Sequence, residues 1–136
     1  MSEKIGWSVN VNVEGGPNLS AADSQEVEAY DKIVVVAKAK AGAPGTAEET
    51  SVEVQPASDP KDIKFFFVTS NRYDKNLKFD VEEAGGASGI ELDKPLLLVG
   101  GGIGLLLKSP KKLKFKNDLG NGKDATITIL VGRNAK

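Results

Sequence analysis

The clearest pattern in the chain is a period-2 alternation of apolar and polar residues. Over residues 5–13 the odd positions are Ile5, Trp7, Val9, Val11 and Val13, with Gly6, Ser8, Asn10 and Asn12 between them. Such alternation turns one face of a strand inward and leaves the other in water. The spacing predicts a half-buried strand, stopped by Gly15, Gly16 and Pro17. Leu77, Phe79 and Val81 repeat the pattern, as do Leu113 and Phe115 among lysines, residues 51–55, and Ile127, Ile129 and Val131.

Other apolar stretches do not alternate. Ile33-Val34-Val35-Val36 is β-branched throughout, which suits a pleated surface. Phe65-Phe66-Phe67, Leu96-Leu97-Leu98-Val99 and Leu105-Leu106-Leu107 place apolar groups on both faces of any strand they form. A small sandwich covers only one face of each sheet by itself. The second face therefore needs a loop, the 18–30 segment or another subunit over it; bare, it invites aggregation.

Residues 18–30 are the one place where a helix is expected. Ser20 and Asp23 form a weak capping box, although Leu19, Val27 and Tyr30 are poorly spaced for a helical face. Stretch 96–107, interrupted by Gly100-Gly101-Gly102, reads as one bulged strand or a tight hairpin. Asn121-Gly122 carries the strongest short hairpin signal. Eight or nine short strands between Gly, Pro, Asp and Asn turns predict an all-β fold. The expected architecture is an antiparallel β-sandwich, jelly-roll-like, with at most one short helix near residues 19–30 and a small barrel as the alternative. Its 136 residues fit a single domain spanning 1–136.

Composition narrows the chemistry. The chain has no cysteine and no histidine. This removes disulfides, thiolate nucleophiles, the commonest metal ligand and the usual general acid/base near neutral pH. No cofactor and no metal is expected. Residues 1–60 hold 4 lysines against 10 acids, and residues 61–136 hold 14 basic residues against 9 acids. That polarity either steers association or is cancelled by strand pairing. The N-terminal residues do not read as a secretory signal. The longest apolar run, residues 95–107, includes four glycines and falls short of the ~20 residues that span a bilayer. A soluble, cytoplasmic protein is the expectation.

The candidate motifs are weak one by one. The glycines at 100–104 lack the G-x-G-x-x-G spacing of a phosphate cradle and are better explained by bending or by a close subunit contact. Ser58 with Lys61 and Ser109 with Lys112 match a serine–lysine spacing too common to carry weight. Asp80, Glu82 and Glu83 read as solvating carboxylates. The loop 117–124 has glycines where calcium ligands would be needed. Lysines 108, 111, 112, 114 and 116 form a basic stripe without exposed aromatics to stack bases, which argues against nucleic acid.

Asn71, Arg72, Tyr73 and Asp74 are the densest set of recognition-type side chains, although a local Arg72–Asp74 pair capping a turn is the simpler explanation of the same residues. Together with Leu97, Gly100, Gly101, Gly102 and Leu106 they are the candidate interface or ligand-binding residues. The expected function is a non-enzymatic structural module that forms a homo-oligomer or binds a protein partner through apolar strand faces. The alternative is a carbohydrate- or small-ligand-binding module.

Overall fold

The computed structural model describes residues 3–39, 48–54, 63–82, 85–106, 111–120 and 122–134. It is mostly β, with ten strands: β1 Glu3–Asn12, β2 Asn18–Val27, β3 Ala29–Ala37, β4 Glu48–Glu53, β5 Ile63–Ser70, β6 Asp74–Val81, β7 Ile90–Leu92, β8 Leu96–Val99, β9 Lys112–Asn117 and β10 Ala125–Arg133. One four-stranded antiparallel sheet runs β3-β10-β5-β8, and a second runs β4-β9-β6-β7. Pairing is nested, β3 with β10, β4 with β9, β5 with β8 and β6 with β7. Two facing sheets with this connectivity form a jelly roll.

The core lies between the sheets. Phe66, Val68, Ile127, Ile129 and Val131 come from the first, and Leu77, Phe79, Val81, Leu113 and Phe115 from the second. The rings of Phe79 and Phe115 sit 5.4 Å apart, tilted by 40°, within the favourable range for aromatic pairs. Each alternating run of β6, β9 and β10 supplies one inward face, as its spacing requires.

Nested pairing also disposes of the charge polarity. Two of the nested pairs, β3 with β10 and β4 with β9, lay strands of the acidic N-terminal half against strands of the basic C-terminal half. Glu53 meets Lys112 at 3.9 Å, Glu49 meets Lys114 and Lys116 at 4.0 Å, and Asp31 pairs with Arg133. The lysine stripe of β9 is thus lined by acids from β4 and β6.

Three expectations change. Residues 18–27 are a strand, not a helix, because all ten positions of β2 pair with β1. Their Ala, Ser and Asp residues have weak local preference, and the partner strand decides. The three-residue β7 is too short to show alternation. After β8 the chain enters a 3-10 helix, Gly100–Leu105, in place of a bulged strand or hairpin. Gly100 makes that exit with φ of 59°, a conformation that side chains disfavour. Finally, the turn at Gly122 does not close a hairpin, since β9 and β10 belong to different sheets.

Candidate functional site

The outer face of the β3-β10-β5-β8 sheet is unusually apolar. Register places Lys32, Leu130, Phe67 and Leu97 in one row across it, with Tyr30, Gly132, Phe65 and Val99 in the next. Leucine and phenylalanine runs without a wet face account for β5 and β8. Their cover is the β1–β2 hairpin, which stands outside both sheets.

The hairpin is itself two-faced. One side carries Ile5, Trp7, Val9 and Val11, paired with Gln25, Asp23, Ala21 and Leu19; the other carries Ser8, Asn10 and Asn12 among small or polar partners. At its base the apolar side meets the sheet closely. A Cβ at Gly132 would lie 2.7 Å from Val27 Cγ1 and 2.8 Å from Ile5 Cδ1, so the glycine leaves room for the crossing. Further along, Ile5, Trp7 and Val9 roof an open groove of about 600 Å³ floored by Phe67, Leu97 and Leu130. Trp7 Nε1 is enclosed and has no acceptor, which offsets part of the gain from docking.

Cover runs out toward the hairpin tip. Exposure rises from 39% at Val9 through 48% at Val11 to 53% at Val13, and Leu19 is 73% exposed. On the sheet, Tyr30, Val34 and Val36 of the edge strand β3 are also exposed. The alternation over 5–13, which predicts one face packed into the core, describes instead a strand whose apolar face is half-covered at its base and bare at its end.

The structure distributes the remaining candidate residues. Leu97 lies in the groove floor. Gly100 and Gly101 border a smaller cleft with Gln25 and Ile63, and a Cβ at Gly102 would lie in ordinary contact with Leu98 Cδ2, at 3.8 Å. Leu106 is buried in the core and unavailable to a partner. Asn71, Arg72, Tyr73 and Asp74 serve the turn that carries β5 into β6. Asn71 Oδ1 accepts from Thr126 N at 2.8 Å, and Asn71 N donates to Thr126 O at 3.1 Å. Tyr73 Oη accepts from Ser70 N, and Asp74 Oδ1 from Asn76 N. Arg72 Nε reaches across to the Asp124 carbonyl at 3.0 Å. That contact ties two loops together and replaces the expected local Arg72–Asp74 cap.

Sequence reasoning missed Asn117, the one buried polar residue among those described. Its Nδ2 donates to Ala37 O at 2.8 Å and Lys123 O at 3.0 Å, while Oδ1 accepts from Leu119 N. It ties the end of β9 to β3 of the facing sheet and to the loop that follows, so both ends of the amide are engaged by backbone. Asp124 likewise accepts from Ala39 N and pairs with Lys38 at 3.5 Å. No group of acids among the described residues is arranged to hold a metal ion. No helix among them is long and apolar enough to cross a membrane. Ser58, Lys61, Glu83, Leu107, Lys108 and Ser109 lie outside the described residues.

On the outer face of the second sheet, Asp80 pairs with Lys116 at 2.8 Å and accepts from Gly89 N at 2.7 Å. The Lys116 ammonium first, and then the Gly89 amide, hold the Asp80 carboxyl below its ordinary 3.8. A depressed carboxylate stabilises the fold at pH above its ordinary pKa and loses that contribution as pH falls through the folded value. Asp80→Asn should therefore cost about 0.5 kcal/mol at pH 7, typical of a pair near the surface. The difference from the parent protein should close below pH 3.8, as read by urea unfolding across pH; a gap that persists in acid would rule the pair out as its cause.

No protein-family model, no curated protein and no solved structure matches this chain.

Proposed function

We propose that this chain is a non-enzymatic building block that associates with copies of itself or with a protein partner through its apolar strand faces. The observation that supports this reading is the incompletely covered outer face of the β3-β10-β5-β8 sheet. Tyr30, Val34 and Val36 stand exposed on the sheet, and Val9, Val11, Val13 and Leu19 on the arm above it. Isolated surface hydrophobics are normal, but contiguous ones flanking a groove are typical of an interaction surface. The groove adjoins the arm at Val9, and its floor of Phe67, Leu97 and Leu130 extends the apolar area inward. The polar turn at 71–74 contributes to the scaffold instead, because its side chains already bond its own strands and loops.

Association of this kind depends on concentration and persists in salt, since burial of apolar surface is its driving term. Light scattering from micromolar upward, at low and high salt, should show masses above the 14.3 kDa chain. A strict monomer throughout would overturn the reading for self-association. The groove under the hairpin would then become the place to look for a small apolar ligand.

A further inference from the structure

We infer that the β1–β2 hairpin is an arm that docks head-to-tail on a second copy of this chain, its apolar tip lying across that copy's Tyr30, Val34 and Val36. This geometry rests on the self-association proposed above and specifies which surfaces meet.

The path of the hairpin sets the direction. Ile5 and Val27 sit against Gly132 of β10, and Trp7 and Val9 share the groove with Leu97 of β8. From β10 to β8 is two strand spacings, about 10 Å, which a strand covers in roughly three residues. Val9 therefore already stands near the β8 edge, and Val11, Val13 and Leu19 extend past it. The rising exposure from Val9 to Val13 follows this course. β8 and β3 are opposite edges of the same sheet. An apolar tip thus overhangs one edge while an apolar patch is bare at the other, an arrangement that a neighbour placed side by side completes.

The two surfaces match in shape and charge. Val9 with Ala21 and Val11 with Leu19 form a narrow apolar ribbon, two strands wide. Val34 and Val36 alternate along β3 with the same period and face outward. Between Asn10 and Ala22 the only charged residue is Glu14, in the turn at the tip. On the exposed side of β3 the charged residue is Lys32, in the same row as Leu97 and flanked by Tyr30 and Val34. The arm's apolar side is also continuous with the face that already packs on its own sheet, so no new surface has to be created. A contact between different patches is heterologous: each copy gives one arm and receives one, and the series closes into a ring or grows. A stable pairwise interface takes roughly 800 Å² per partner, and the exposed residues of the tip number only a few. The assembly therefore depends on repeated contacts.

The chain has no cysteine, so introduced thiols report contacts without background. Val11→Cys and Val36→Cys variants, mixed and mildly oxidised, should give covalent dimers at several times the yield of either variant alone. Leu19→Cys with Val34→Cys provides a second register, so that a small offset cannot hide the contact. Equal cross-linking of Val11→Cys with itself would overturn the proposal in favour of arm-to-arm pairing. Ring closure within one chain that carries both Val11→Cys and Val36→Cys would overturn it in favour of an arm folded onto its own β3. Failure of both pairs to cross-link while scattering shows oligomers would remove the arm geometry and leave self-association standing. A monomer by scattering would remove both.

Discussion

Replacing Asn117 with aspartate should cost about 3 kcal/mol or more of folding stability at pH 7, although the two side chains are nearly the same shape. The amide sits fully buried, with Nδ2 aimed at the carbonyls of Ala37 and Lys123. A carboxylate there points a charged oxygen at two acceptors and removes both donors. Leaving buried acceptors unpaired costs roughly 1–3 kcal/mol each, and the buried charge adds to that. The same reasoning gives a sign with pH. Burial opposite two carbonyl oxygens raises the new carboxyl's folded pKa above its ordinary value of about 4. The folded variant then binds a proton that its unfolded chain has already released, so its deficit shrinks as pH falls toward about 4. Urea unfolding of both proteins at pH 7 and pH 4.5 measures this, and an unchanged midpoint at pH 7 would show that the tether between sheets is dispensable.

Gly132→Val should lift the arm. A Cβ at this position meets Val27 Cγ1 at 2.7 Å, Ile5 Cδ1 at 2.8 Å and Phe65 Cβ at 3.3 Å. The Ile5 tip can rotate away, but Val27 is stiff at χ1 and Phe65 Cβ is fixed by its strand. Overpacking of this sort costs about 1–3 kcal/mol. It falls on the hairpin more than on the sandwich, because Gly132 shares the outer-face row with Tyr30 and Phe65. Trp7 is the single tryptophan and roofs the groove, so its emission should move to longer wavelength while the far-ultraviolet signal of the two sheets persists. Unshifted emission would mean that the hairpin is not seated through Gly132. Expression of this variant should also be accompanied by aggregation, since Phe67, Leu97 and Leu130 lose their roof.

Both changes act at points that no local pattern marks. Asn117 ends an alternating lysine strand and looks like the start of a polar turn, and its partners are 80 and 6 residues away in sequence. Gly132 follows the last inward residue of β10, Val131, and looks like the end of the strand. Its reason is the Val27 and Ile5 side chains of a hairpin whose own identity depends on β2 pairing with β1. Arg72 shows the same limit. A turn containing Arg72 and Asp74 suggests a local pair, yet the guanidinium bonds a carbonyl 52 residues away.

What the amino-acid order determined by itself was the strand content and the demand for extra cover. Period 2 and β-branched runs located β1, β3, β4, β5, β6, β8, β9 and β10, and the unbroken runs at 65–67 and 96–99 required something on their outer side. Those are one-dimensional properties, fixed by which residues alternate and which do not. Tertiary structure alone decided what provides the cover. Period 2 divides a strand into two faces but does not say which sheet, hairpin or neighbour each face meets, because strand partners are chosen by long-range pairing. Hence β1, with the cleanest alternation in the chain, lies outside the jelly roll as a partial lid. The apolar face that its pattern announced is only half satisfied by its own molecule.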